Sequence, residues 1–124
     1  MSTDPRQHLG RAGERLAAEH LQRRGYRILE RNYRTRWGEL DIIALDRQTI
    51  VFCEVKTRRM LARDRTPLEA VHTRKRSRVR RMAGSWLAER KDRPHVPDVR
   101  FDAIGVTFDA SGRLAGLEHL QDAF

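Results

Sequence analysis

The chain has 124 residues, 39% of them hydrophobic and 35% charged, and a formal net charge of +9. That length suits one domain, residues 1–124, with its own core. The positive excess favours a polyanionic partner, nucleic acid ahead of an anionic membrane surface, set against the plain reading of a solvated surface. The single cysteine, Cys53, excludes an internal disulfide. No apolar run reaches the ~18 residues that span a bilayer, and the first residues lack the apolar core of a signal peptide, so a cytoplasmic location is the default expectation.

Asp4-Pro5 reads as a helix cap followed by proline at the first helical position, and Gly25 as the C-terminal stop of a helix reaching about Arg24. Leu9, Gly13, Leu16, Ala17, His20 and Leu21 form its inner stripe, with Glu14 at the stripe's edge. Such a glutamate ordinarily pairs with a neighbouring arginine. His8 and His20 have no ligand-like spacing. Tyr26 to about Tyr33 follows as a first strand. Arg31, Arg34 and Arg36, interleaved with Tyr33 and Trp37, suit phosphate contact and base stacking. Core packing explains at least one of the two aromatics equally well.

Gly38–Ala44 and Ile50–Lys56 are rich in β-branched and aromatic residues, with a polar break at Asp46-Arg47-Gln48-Thr49. A hairpin with a four-residue loop is expected. In a register symmetric about that loop, Leu45 faces Ile50 and Asp41 faces Glu54, which puts their Cβ atoms roughly 5 Å apart. Period-two alternation adds Lys56 to the face of Glu54 and turns Val51, Cys53 and Val55 away, making Cys53 a buried thiol. Glu39 shares the face of Asp41 and ranks below it as a site residue. Two readings stand here. Opposed carboxylates can be reconciled by Mg²⁺ or Mn²⁺ held with waters and a substrate phosphate, with Lys56 steadying the phosphate or an attacking water, a layout for phosphodiester hydrolysis. Alternatively, Asp41, Lys56 and Glu54 form a salt-bridged triad in a plain hairpin.

Residues 57–66 are polar and basic and read as a loop. Thr66-Pro67-Leu68-Glu69 carries the signature of a second helix start. Leu68, Val71, Val79, Met82, Ala83, Trp86 and Leu87 form its stripe, with Lys75 in a gap. Arg74, Arg76, Arg78, Arg80 and Arg81 make a basic surface with no acid between Glu69 and Glu89. A phosphate-binding helix fits that density better than a merely solvated face. Pro94 and Pro97 break a linker, Val99–Phe108 and Leu114–Leu120 read as strands, and Asp102 as a structural acid paired with an arginine. The order α-β-β-β-α-β-β fits an α/β sandwich, a mixed sheet covered by two long helices.

Taken in order, Gly13-Glu14, Gly25-Tyr26, Asn32-Tyr33-Arg34, Gly38-Glu39-Leu40-Asp41, Phe52-Cys53-Glu54-Val55-Lys56-Thr57-Arg58, Lys75 and Arg100-Phe101-Asp102 resemble the YraN family. These are small bacterial endonuclease-like proteins of the PD-(D/E)XK nuclease superfamily, related to Holliday-junction resolvases. Leu40 stands where the superfamily's name has proline, and the loop after Lys56 lacks the family's usual glycine. The resemblance implies a restriction-endonuclease-like fold and a metal site of Asp41 and Glu54 that Glu14 reaches from the first helix. It also implies a catalytic role for Lys56, assisted by Lys75. Those are two of only three lysines, with Lys91, and a compact, shiftable charge is what arginine cannot replace. Arg74, Arg76, Arg78, Arg58 and Arg36 are the expected phosphate contacts. The implied activity is Mg²⁺-dependent hydrolysis of DNA, branched or structured DNA included, by a monomer or homodimer. The competing function is a nucleic-acid-binding module without turnover.

Overall fold

The computed structural model describes residues 5–60 and 73–124, with side chains over 8–60 and 76–124. The elements run α1 (Pro5–Arg23), β1 (Arg27–Thr35), β2 (Gly38–Asp46), β3 (Thr49–Arg59), α2 (Thr73–Glu89), β4 (Asp98–Phe108) and β5 (Leu114–Leu120). They build one five-stranded mixed sheet in the order β1-β2-β3-β4-β5. β3 and β4 pair in parallel, across the connection containing α2, and every other pair is antiparallel. Parallel neighbours need such a crossover, whereas the antiparallel pairs need only turns.

Alternation along β3 sorts the core. Ile50 and Phe52 pack with Val79, Met82, Ala83 and Trp86 of α2. Val51 and Cys53 pack with Ala17, Ala18 and Leu21 of α1. The two helices therefore cover opposite faces of the sheet, and the architecture is compatible with a restriction-endonuclease-like α/β fold. Cys53 is fully buried, as alternation requires.

Gly25 ends α1 as expected. Its φ is +90°, and the bonds Tyr26 N–H to Leu21 carbonyl (2.9 Å) and Gly25 N–H to Gln22 carbonyl (3.0 Å) close the helix in a Schellman arrangement. Tyr33 belongs to the core: it is buried against α2, and its hydroxyl donates to Glu89 (2.8 Å) and bonds Ser85 (2.9 Å). Among the described residues no helix is long and apolar enough to cross a membrane.

Three expectations need correction or bounding. The hairpin turn is tighter than four residues, because Asp46 and Thr49 already pair and only Arg47 and Gln48 bridge them. Arg47 makes the reversal at φ +57°. Residues Thr57–Arg59 are not loop. They continue β3, pairing in parallel with Val106, Thr107 and Phe108. Their polar side chains hid a strand whose stability comes from a partner 49 positions away, and local pattern does not report that. The expected helix start at Thr66–Glu69 lies outside the described residues.

Candidate metal centre

Gly13 fixes how closely α1 approaches the sheet. A Cβ on Gly13 would collide with Thr57 Oγ1 and come within 3.1 Å of the Cβ and Cγ2 of Thr57. The absence of a side chain lets this turn of the helix rest on the extended part of β3 and carries Glu14 over the sheet. Gly13→Ala should cost roughly 1–3 kcal/mol, as overpacking does, and lift Glu14 off the sheet. Urea denaturation and metal titration of that variant check both effects.

Where Glu14 arrives, β2 leaves its ladders. The β2–β3 register runs from Asp46↔Thr49 to Ile42↔Cys53 and ends there. On the other side, Arg31↔Ile42 and Tyr33↔Leu40 pair while Asn32 and Asp41 between them do not. Residues two apart on a strand normally share a face. Here Ile42 packs on the α1 side and Leu40 on the α2 side. The strand rotates at Asp41, and its carboxylate fills the opening by accepting the Val55 N–H at 2.7 Å.

Glu14, Glu39 and Asp41 each place a carboxylate oxygen so that all three lie within 4.8 Å of one another. This is the acidic group the described residues bring together. Glu54 is outside it but close enough for its charge to act on Asp41. The expected pairing of Asp41 with Glu54 does not form, since the ladder ends at Ile42↔Cys53. The alternation that turns Phe52 toward α2 puts Glu54 and Lys56 on that side of the sheet, away from the face α1 covers, with Lys56 exposed. Desolvation pushes the Asp41 carboxyl up to about 7. The Val55 N–H opposes that rise, while the charges of Glu14, Glu54 and Glu39 add to it. Glu14 is raised as well, by burial first and Glu39 next, against Arg31 and Arg11.

Glu39 and Asn32 matter more here than the sequence alone suggested. With its NH₂ turned toward the acids, Asn32 donates to Glu39 Oε1 at 2.8 Å and Glu14 Oε2 at 2.9 Å. The other orientation would set its carbonyl against two carboxylates. The available signal in the sequence was an asparagine, a residue that tolerates the left-handed region.

A groove of about 510 Å³ opens beside Glu14, between Leu9 and Gly10 of α1 and Val55, Thr57, Arg58 and Arg59 of β3. Of the basic residues expected to meet phosphate, Arg58 lines this groove. Arg36 is exposed and lies over the Trp37 ring, 4.7 Å from its centroid. Arg76 and Arg78 are exposed on α2. The side chains of Arg74 and Lys75 lie outside the described residues.

Residues 13–106 match the profile of the "Uncharacterised protein family UPF0102". The UPF0102 protein of Frankia casuarinae is 47% identical over 117 residues, covering 94% of this chain and 95% of its own. The UPF0102 protein of Chlorobium limicola is 45% identical over 128 residues, covering 100% and 96%, and that of Geobacter metallireducens 46% over 116 residues, covering 94% and 91%. The chain belongs to the UPF0102 family. The family match includes every member of the acidic group, Asn32, Glu54 and Lys56. A UPF0102 protein of this sequence therefore presents a possible metal-binding group of three carboxylates on a restriction-endonuclease-like sheet.

Proposed function

We propose that this protein is a divalent-metal-dependent endonuclease acting on DNA, branched or structured DNA included, as a single cytoplasmic domain or a homodimer of it. The observation that carries the reading is the Asp41 carboxylate, anchored by the Val55 N–H where β2 and β3 part and crowded by Glu14 and Glu39. Three hard oxygen donors so close repel one another and suit Mg²⁺ or Mn²⁺ better than softer metals. Asp41, Glu14, Glu39 and Glu54 are the residues that would hold the ion. Once bound, a divalent cation polarises a phosphoryl oxygen and lowers the pKa of a water. Lys56, which shares a side of β3 with Glu54, would stabilise charge on the phosphate. Arg58 and the groove beside Glu14 give the adjoining backbone a cationic wall. Arg36, Arg76 and Arg78, with Arg74 and Lys75 on the same helix as the last two, add sequence-independent phosphate contacts.

The test is cleavage of labelled duplex, flap and four-way DNAs with Mg²⁺, Mn²⁺ or EDTA, in the parent and in Glu54→Gln and Lys56→Ala. Divalent-dependent cleavage is expected in the parent, with Lys56→Ala reduced by about 10²–10³-fold, the scale of a lost electrostatic contact in the transition state. Tight DNA binding without cleavage on any substrate would instead leave the nucleic-acid-binding module. Arg76→Glu with Arg78→Glu should weaken DNA binding and flatten its salt dependence, since fewer counterions are released. An unchanged salt slope would show that this helix face is only solvated.

A further inference from the structure

We propose that Asn32 is a positioning residue of the acidic centre: its carboxamide, reaching over from the edge strand β1, sets the spacing of Glu14 and Glu39 around Asp41. The inference rests on reading that centre as a divalent-cation site. Two features of Asn32 carry it, and they are separate. The first is its backbone. Asn32 has φ +55° in the middle of a strand, a conformation that costs most residues energy and that asparagine and aspartate tolerate. It lies at the skipped position opposite Asp41, with regular pairs on both sides. Asn32 and Asp41 therefore leave the β1–β2 ladder together, and the same distortion that frees Asp41 turns the Asn32 side chain to the acids.

The second feature is chemical. A carboxamide offers two N–H donors and no charge. One goes to Glu39 Oε1 and the other to Glu14 Oε2, tying an acid from α1 to an acid from β2. Arginine or lysine at this position would also hold the two acids, but would neutralise the field that attracts a cation. Asn32 restrains the carboxylates and leaves their charge intact. Such outer partners orient ligands, and losing one typically weakens metal affinity 10–100-fold. Arg34 also reaches Glu39, Nε to Oε2 at 3.3 Å, but it is largely exposed and its attraction is screened by solvent.

Calorimetric titration of Mn²⁺ into the metal-free protein separates this role from a purely conformational one. Glycine adopts a positive φ without strain, so Asn32→Gly keeps the backbone and removes only the amide. Mn²⁺ binding about 10–100-fold weaker than the parent's is expected for Asn32→Gly, in a metal-free protein that still unfolds cooperatively. Asn32→Asp keeps the left-handed tolerance but replaces the donors with a further acid. Its metal-free melting temperature at pH 8 should fall below that of Asn32→Gly, and Mn²⁺ should raise it by more than it raises the parent's. Asp41→Asn serves as the control that removes a ligand. If Asn32→Gly binds Mn²⁺ as tightly as the parent while Asp41→Asn does not bind it, the positioning role is overturned and the metal centre stands. If the parent itself binds no Mn²⁺, the metal centre falls and takes this inference with it.

Discussion

Asp41→Asn is expected to abolish Mn²⁺ binding and divalent-dependent cleavage while raising the melting temperature of the metal-free protein at pH 8. Removing a charge stabilises here because the folded state holds that charge badly. Desolvation, reinforced by Glu14, Glu54 and Glu39, lifts the carboxyl from an ordinary 3.8 to about 7, and one backbone N–H does not offset it. A carboxyl whose pKa is raised on folding favours the folded state while it is protonated. That contribution is fully present below about pH 4 and is lost as pH rises through about 7. A shift of this size corresponds to stability on the order of 3–4 kcal/mol lost across that window. The asparagine keeps a carbonyl for the Val55 N–H and has no proton to lose.

Melting curves of parent and variant from pH 4 to 8 should therefore diverge, the parent falling and the variant staying flatter. A cation competes with the same proton, so Mn²⁺ affinity in the parent should increase with pH through about 7. Parallel pH profiles, with the variant less stable throughout, would mean that Asp41 is held by a cationic partner. The salt-bridged hairpin would then replace the metal centre.

The hairpin was legible because its information is local. Alternating apolar residues on both sides of Asp46–Thr49 fix which residues face each other, and the observed pairs from Leu45↔Ile50 to Ile42↔Cys53 follow that register. Its end was not legible. Nothing in Leu40-Asp41-Ile42 announces that Leu40 and Ile42 pack on opposite faces, and the rotation coincides with the positive φ of Asn32 and its missing pair one strand away. Alternation does put Glu39 with Asp41, as found, but it cannot show a strand turning both acids toward a helix. The extension of β3 through Arg59 depends on β4, which follows only after α2. Asp102 was expected to pair with an arginine, and Arg100, two positions away on the same strand face, does so. Its other partners come from beyond β4 and left no local trace.

Asp102→Ala is expected to be the most damaging substitution outside the acidic centre, costing roughly 3–5 kcal/mol, as removal of one partner from a buried ion pair does. Asp102 is fully buried. Its carboxylate accepts Arg100 Nε at 2.8 Å and Nη2 at 2.9 Å, and the N–H of Asp122 at 3.0 Å, and bonds His119 Nε2 at 2.8 Å. Burial alone would raise its pKa, but these bonds to His119, Arg100 and the Asp122 backbone hold it below the ordinary carboxylate value. Arg100 in turn donates to the Tyr26 hydroxyl at 2.7 Å and lies 3.5 Å from Asp46. One carboxylate thus ties β4 to β5 and, through Arg100, to Tyr26 between α1 and β1. Its linkage to pH has the opposite sign from that of Asp41. A depressed pKa gives stability that is present above about pH 4 and lost as pH falls through the folded value. Replacement by alanine leaves the Arg100 guanidinium without its bidentate partner and strands the bonds of His119 and the Asp122 N–H. Asp102→Asn, which keeps size and one acceptor, should cost less. Combining Asp102→Leu with Arg100→Met, which removes both charges, should cost less than the two single changes added together. Urea denaturation at pH 7 of these variants, with the single changes Asp102→Leu and Arg100→Met, measures each cost. A loss for Asp102→Ala no larger than that of a surface substitution, roughly 0.5 kcal/mol, would show that the network orders β5 without stabilising the fold.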